Sequence, residues 1–369
     1  MTDSLRLYIF FLASTLVAIL SFSVVGSFNM GIDGGIYVSQ VEQFEAGQLT
    51  LLPHDVALRA FKPFVGVWGS LFVPVLTPEE SIQLLNLLFL FAMPFVAFKF
   101  LSELNFSKDE SFWGALWIIS GYPVFKYGLA ISTDFGGWLF AVLTAYLVLK
   151  GIRLNSYRTI LLASVLGFIG GTIKEPGVFG LLFGALYIIF SYSDRSFKKT
   201  FTLLSLLTFP ALILEIILFG VLAHAGFPLF LDWYGVVANS DFEGQHYQLT
   251  KLIGVIGSSF NIVLLYAGVG FLALTQKQVW MKNPKFTFLL ALLVASLPIL
   301  LWKIFISRVL YIQFLFFVPM ALVGARLLIA RLPKQKNSIG KYVVYILPLI
   351  SATGLFLIAR EKSLFTIFF

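Results

Sequence analysis

The sequence predicts an all-α integral membrane protein, a bundle of about eleven transmembrane helices with interfacial helices in its first outer loop. Three observations predict it. Apolar residues make up 59% of the chain and charged residues 12%, where soluble domains carry about a quarter charged. Uncharged runs of about 18 residues or more recur, each long enough to cross a hydrocarbon core about 30 Å thick. The basic residues crowd into every second loop, as the positive-inside bias requires of a polytopic chain.

The expected spans are 8–27, 81–101, 111–130, 133–149, 159–173, 177–192, 201–222, 252–275, 287–302, 309–328 and 342–359. The first, YIFFLASTLVAILSFSVVGSF, is longer than a signal-peptide core of about 7–15 residues, and no small-x-small cleavage pattern follows it. It reads as a retained span. Segment 63–77, PFVGVWGSLFVPVLT, is apolar but short and bracketed by prolines, which predicts an interfacial or re-entrant helix. With the amino terminus cytoplasmic, 17 of the 26 Lys and Arg residues fall on inside loops, five of them between Arg326 and Lys341. The chain therefore reads as one polytopic domain over 1–369 in the cell membrane, with two long outer loops at about 28–80 and 223–250.

Composition also excludes. There is no cysteine, so disulfides, thiolate metal sites and cysteine nucleophiles are ruled out. The net charge of +8 is distributed by topology and does not imply a nucleic-acid partner. No Asp-x-Asp motif, Gly-x-Gly-x-x-Gly fingerprint or phosphate loop occurs, which disfavours a nucleotide-linked donor.

The acids gather outside. Asp33 follows a run with no charge after Arg6 and opens GIDGGIYVSQVEQFEAGQ. A helix from about Ile36 to Ala46 puts Tyr37 and Val41 on one face and Glu42 and Glu45 on another, and Gly47 ends it. Asp33 is then either a solvated cap of that helix or a general base in a cleft between loop and membrane. In RAFKP, Arg59 and Lys62 stand three apart and would share a helix face as a paired cation site. Asp134, the neighbours Lys174 and Glu175, and Lys303 with Arg308 all lie within a turn or two of an outer span end. Such charges are singly snorkelling lysines or structural ion pairs, and together an anion site. Lys174 and Glu175 could equally neutralise one another. Glu215 is the only acid inside a span, by default a functional residue or a buried hydrogen-bonding one. Trp233 and Tyr234 could stack on a sugar or lipid, or sit in the aromatic belt.

Several short stretches in this order resemble the GT-C superfamily of membrane glycosyltransferases. They are DGGIY, a helix ending in EAG, the Arg-x-x-Lys-Pro turn, the span LLNLLFLFAMPFVAFKFL, STDFGGWLFAVLTAYLVLKG, GGTIKEPGVFGLL and SRVLYIQFLFFVPMALVGARLL. The resemblance, to relatives such as protein O-mannosyltransferases and lipid A aminoarabinose transferases, implies a polyprenyl-phosphate-linked sugar as donor. It implies a lipid, glycan or protein acceptor, and makes Asp33 the catalytic or metal-binding carboxylate. Many members carry two adjacent acids where this chain has Asp33 followed by glycine, so no cofactor is certain, a divalent metal included. The residues suit that chemistry on their own. A phosphate can leave without a proton if cations stabilise it, so one carboxylate to take the acceptor proton suffices. On this reading Arg59, Lys62, Lys303 and Arg308 bind the donor phosphate. Tyr37, Asp134, Lys174, Glu175, Trp233 and Tyr234 contact substrate. A polysaccharide polymerase and a lipid-linked oligosaccharide flippase are the competing readings. A flippase would favour deep charges and repeated halves.

Overall fold

Inside a bilayer the backbone has no partner but itself, so apolar segments close as helices. In the computed structural model every described element is helical. The described residues are 2–26, 33–47, 62–192, 196–227, 249–276, 307–333 and 337–361, with a few isolated positions between 232 and 297. α1 is Asp3–Val25, α2 Gly34–Glu45, α3 Phe64–Phe72, α4 Pro78–Glu103, α5 Lys108–Ile119, α6 Tyr122–Tyr127, α7 Asp134–Arg153 and α8 Tyr157–Ile173. A 3-10 turn at Glu175–Val178 leads into α9, Phe179–Tyr192. Then follow α10 at Phe197–His224, α11 at Leu249–Phe260, α12 at Ile262–Gln276, α13 at Ser307–Leu310, α14 at Phe314–Ala330 and α15 at Asn337–Glu361.

Six helical segments are long and apolar enough to span a membrane, seven if the bent pair α11–α12 is one span. α8 and α9 are apolar but shorter. The expected span 287–302 lies largely outside the described residues. The described residues therefore hold fewer full-length spans than the roughly eleven that hydropathy predicts. Phe11, Leu12 and Leu16 of α1 and Ile213, Ile216 and Ile217 of α10 all point outward and exposed. Water would not tolerate such faces, and hydrocarbon does. The chain is a multi-pass membrane protein.

Two expected spans are broken, each for a local reason. Segment 111–130 divides at Gly121, which is extended, and Pro123 in the first turn of α6 restarts the helix. The irregular stretch after α6 is buried, and Asn86 of α4 donates to the carbonyls of Ala130 and Ser132 at 2.9 and 2.8 Å. Irregular backbone at such depth needs partners of that kind. Segment 252–275 bends by 99° between α11 and α12. Asn261 takes φ +37° there, and its side chain accepts from the Ile262 N–H at 2.7 Å, the local bond that lets Asn leave a helix.

Small residues draw the elements that carry the site together. Gly66 and Gly69 of α3 lie against Phe44, Gln40 and Val41 of α2, where a methyl group would collide. α2 and α3 thereby form a helical hairpin, a pairing that the short proline-bracketed segment does not by itself reveal. Gly136 and Gly137 at the start of α7 face Phe89, Ile173 and the Cβ of Lys174, and Gly170 and Gly177 meet backbone to backbone. Close approach through glycine is a membrane-helix device. Here it brings the turn at 174–178 onto the first turn of α7.

Candidate active site

Asp33 occupies the N-cap position of α2, yet its side chain makes no capping bond. The carboxylate is buried and turned away from its own helix. Its Oδ2 accepts from Lys174 Nζ at 3.3 Å and from Arg308 Nη2 at 3.2 Å. Arg308 spans two acids, because its Nη1 also donates to Asp134 Oδ2 at 3.3 Å. Lys174 Nζ stands 4.0 Å from Asp134 Oδ1 and donates to the Tyr37 hydroxyl at 3.2 Å. Thr133 donates to the same hydroxyl at 3.0 Å. Four charges, from the start of α2, α7, the 174–178 turn and α13, thus meet at one end of the bundle.

Next to this quartet, Lys62 forms an ion pair with Glu175. Lys62 is fully buried and precedes α3 rather than lying in a helix. Gln40 of α2 donates to its backbone carbonyl at 3.3 Å. The neighbours Lys174 and Glu175 each form their ion pair with a different partner rather than with one another. Burial pushes the Lys174 ammonium down. Tyr37, Asp134, Glu175 and Asp33 outweigh it and hold the group above the ordinary lysine value. Burial likewise pushes the Glu175 carboxyl up, but Lys62 and then Lys174 prevail and pull it down to about 2.

Of the residues expected at a site, Asp33, Tyr37, Lys62, Asp134, Lys174, Glu175 and Arg308 fall into this one network. Arg59, Lys303, Trp233 and Tyr234 lie outside the described residues. Glu215 is elsewhere, on an outward face of α10. The residues that sequence reasoning passed over are supports: Thr133 on Tyr37, Asn86 under the 130–133 loop, and Gln40 on Lys62. None of them is charged, and although Thr133 and Asn86 fall within stretches quoted for the resemblance, nothing there singles them out. As for a metal, no group of three or more His, Asp or Glu able to hold one occurs among the described residues. Asp33 and Asp134 are already bridged by Arg308 and Lys174, and carboxylates so paired with cations are a donor set that does not fit a divalent ion.

No family model matches the chain, and no curated protein matches it by sequence. Solved structures match its shape. The arabinofuranosyltransferase AftD from Mycobacteria superposes with a TM-score of 0.61 at 18% identity, over 95% of this chain and 27% of that one. The apo oligosaccharyltransferase of Archaeoglobus fulgidus gives 0.59 at 11% identity, over 96% of this chain and 56% of that one. The chain has the GT-C fold. The archaeal oligosaccharyltransferase AglB from Archaeoglobus fulgidus, in complex with an inhibitory peptide and a dolichol-phosphate, gives 0.60 at 11% identity, over 94% and 56% of the two chains. This chain thus spans 56% of the oligosaccharyltransferase and 27% of the arabinofuranosyltransferase. Both of these GT-C neighbours are glycosyltransferases. At these identities the likeness concerns architecture, so the chemistry must be argued from the residues.

Proposed function

We propose that this chain is a membrane glycosyltransferase that moves a sugar from a polyprenyl-phosphate donor to an acceptor hydroxyl at the extracytoplasmic face. One observation carries the reading. Asp33, Asp134, Lys174 and Arg308, far apart in the chain, are buried together at one end of the bundle. Burying two acids and two bases costs several kcal/mol per ion, only partly returned by their attraction. Such expense is commonest where chemistry needs it.

In the reaction the acceptor oxygen attacks the anomeric carbon while the bond from that carbon to the phosphate oxygen breaks. The bonding pair leaves with the polyprenyl phosphate, and the acceptor proton passes to Asp33. Cations stabilise the leaving phosphate, with Arg308 and Lys174 nearest the carboxylate. A single displacement inverts the anomeric centre. Tyr37 and Asp134 position the base and the cations, and Lys62 with Glu175 braces the α2–α3 hairpin against the 174–178 turn. The bound dolichol-phosphate of one GT-C neighbour supports a lipid-phosphate donor here. Glu215 faces outward rather than into the bundle, and this disfavours a flippase reading.

The test is transfer by membranes that carry the chain and are supplied with polyprenyl-phosphate sugars. Asp33→Asn should reduce turnover by on the order of a hundredfold or more, with the purified variant still melting cooperatively. Full activity in a folded Asp33→Asn protein would refute Asp33 as the base.

A further inference from the structure

The buried ion pairs at the site end are closed among themselves. Lys62 faces Glu175, Lys174 faces Asp33, and Arg308 faces Asp33 and Asp134. A phosphate brought to this network meets a carboxylate beside every cation, and like charges oppose its entry. Arg308 and Lys174 can serve the phosphate as it leaves, but a docking point that first draws the donor in needs a cation not already paired with an acid.

Lys126 has that property. It is exposed on α6, and no ion pair to a carboxylate engages it among the described residues. Its ammonium instead lies over two aromatic rings, 5.2 Å from the centroid of Tyr127 and 5.8 Å from that of Tyr122. α6 belongs to the site end of the bundle. Ser21, near the end of α1, donates to the Phe125 carbonyl at 2.7 Å. Ser132, beside the Thr133 that bonds Tyr37, donates to the Tyr127 carbonyl at 3.4 Å. Arg308 of the buried quartet has an Nε with no hydrogen-bond partner among the described residues. Tyr127 is thus one hydrogen bond from the Ser132–Thr133 stretch, and that stretch reaches the buried quartet through Tyr37.

We propose that Lys126, flanked by Tyr122 and Tyr127, is the docking point for the phosphate of a lipid-linked donor, with the sugar directed toward Asp33. The inference rests on the donor class proposed above. An ammonium is a compact point charge suited to a phosphate oxygen, and a phenol beside it can donate a further hydrogen bond. A lysine that merely snorkels from an aromatic belt would be indifferent to phosphate.

The experiment measures binding rather than transfer, using the purified chain in phosphatidylcholine nanodiscs. Thermal shifts are recorded with a short-chain polyprenyl phosphate, the same polyprenol lacking phosphate, inorganic phosphate and phosphatidylglycerol. The expected result is stabilisation of the wild type by polyprenyl phosphate above the other three ligands. Lys126→Gln should weaken that binding about tenfold, with an unchanged melting point in the absence of ligand, and Lys126→Arg should retain most of it. Wild-type affinity in Lys126→Gln would overturn this inference and leave the donor class standing. Lys126-dependent binding of phosphatidylglycerol equal to that of polyprenyl phosphate would overturn it too, as a general anionic-lipid contact. A wild type that binds no polyprenyl phosphate would sink the donor class, and this inference with it.

Discussion

The two ends of the bundle both carry ion pairs, and they use them differently. At the amino-terminal end, Arg6 joins Asp3 and Asp109, Lys341 joins Asp109, Arg153 joins Glu103, and Arg326 grips Glu110 through two bonds of 2.6 and 2.8 Å. Each of these pairs keeps at least one partner well exposed. At the site end, Lys174, Arg308, Asp33 and Asp134 each keep under a tenth of their side-chain surface. Exposed pairs cost little to form and contribute about 0–1 kcal/mol, whereas buried ones are expensive to assemble and damaging to break. The first end resembles an anchor on a charged surface. The second holds charge where folding alone gives no reason to bury it.

The largest effect should come from unpairing a buried charge. Arg308→Ala leaves Asp33 and Asp134 facing each other with only Lys174 between them. Breaking a buried pair from one side costs about 3–5 kcal/mol. Unfolding of the purified chain should show a loss of that size. A loss under about 1 kcal/mol would mean that water or lipid headgroups already screen the quartet, and the contrast between the two ends would collapse.

A smaller, pH-dependent effect should come from Glu175. Its carboxyl is lowered to about 2 in the folded chain by Lys62 and Lys174 against burial, and an unfolded glutamate titrates near 4.3. A depressed acid contributes stability that is fully present above the unfolded value. That contribution is lost as pH falls through the folded value, so the window is roughly pH 4 to 2. The loss across it should be roughly 2 kcal/mol, below the full worth of the displacement, because the Glu175 side chain keeps 25% of its surface. Glu175→Gln should flatten this part of the acid-stability curve. An unchanged acid limb would show that the Lys62–Glu175 pairing contributes no pH-dependent stability.

The same contrast explains what the sequence reveals. Apolar runs are additive along the chain, so α1, α4, α7, α10 and α14 are legible from hydropathy, while Gly47 marks a helix end and the prolines around α3 mark a short segment. Breaks at Gly121 and Asn261 are not legible, because a single extended or positive-φ residue scarcely changes the hydropathy of a 20-residue window. The candidate site is legible as an inventory, since an acid or base is conspicuous beside an apolar span. Its pairing is not. Lys174 and Glu175 are neighbours in sequence, but the glycines of α7 and α8 set which partner each one meets, and that is a property of packing. Lys126 is hidden for the same reason, inside an apolar stretch that reads as a continuous span.

The smallest effect belongs to the amino-terminal end. Lys341 bonds Asp109 at 3.3 Å, with 39% and 43% of the two side chains exposed. Burial pushes Asp109 up, and Arg6 and then Lys341 more than offset it, so its carboxyl sits below the usual range. Lys341→Gln removes one of those two cations and leaves the better-buried Arg6 in place. The expected loss is about 0.5 kcal/mol or less at low salt, and it should vanish near 0.5 M salt, where the Debye length falls to a few ångströms. The quartet at the other end, shielded from ions, should keep its contribution over the same salt range. Equal salt sensitivity of Lys341→Gln and Arg308→Ala would place both ends in the same dielectric and remove the physical basis for assigning chemistry to only one of them.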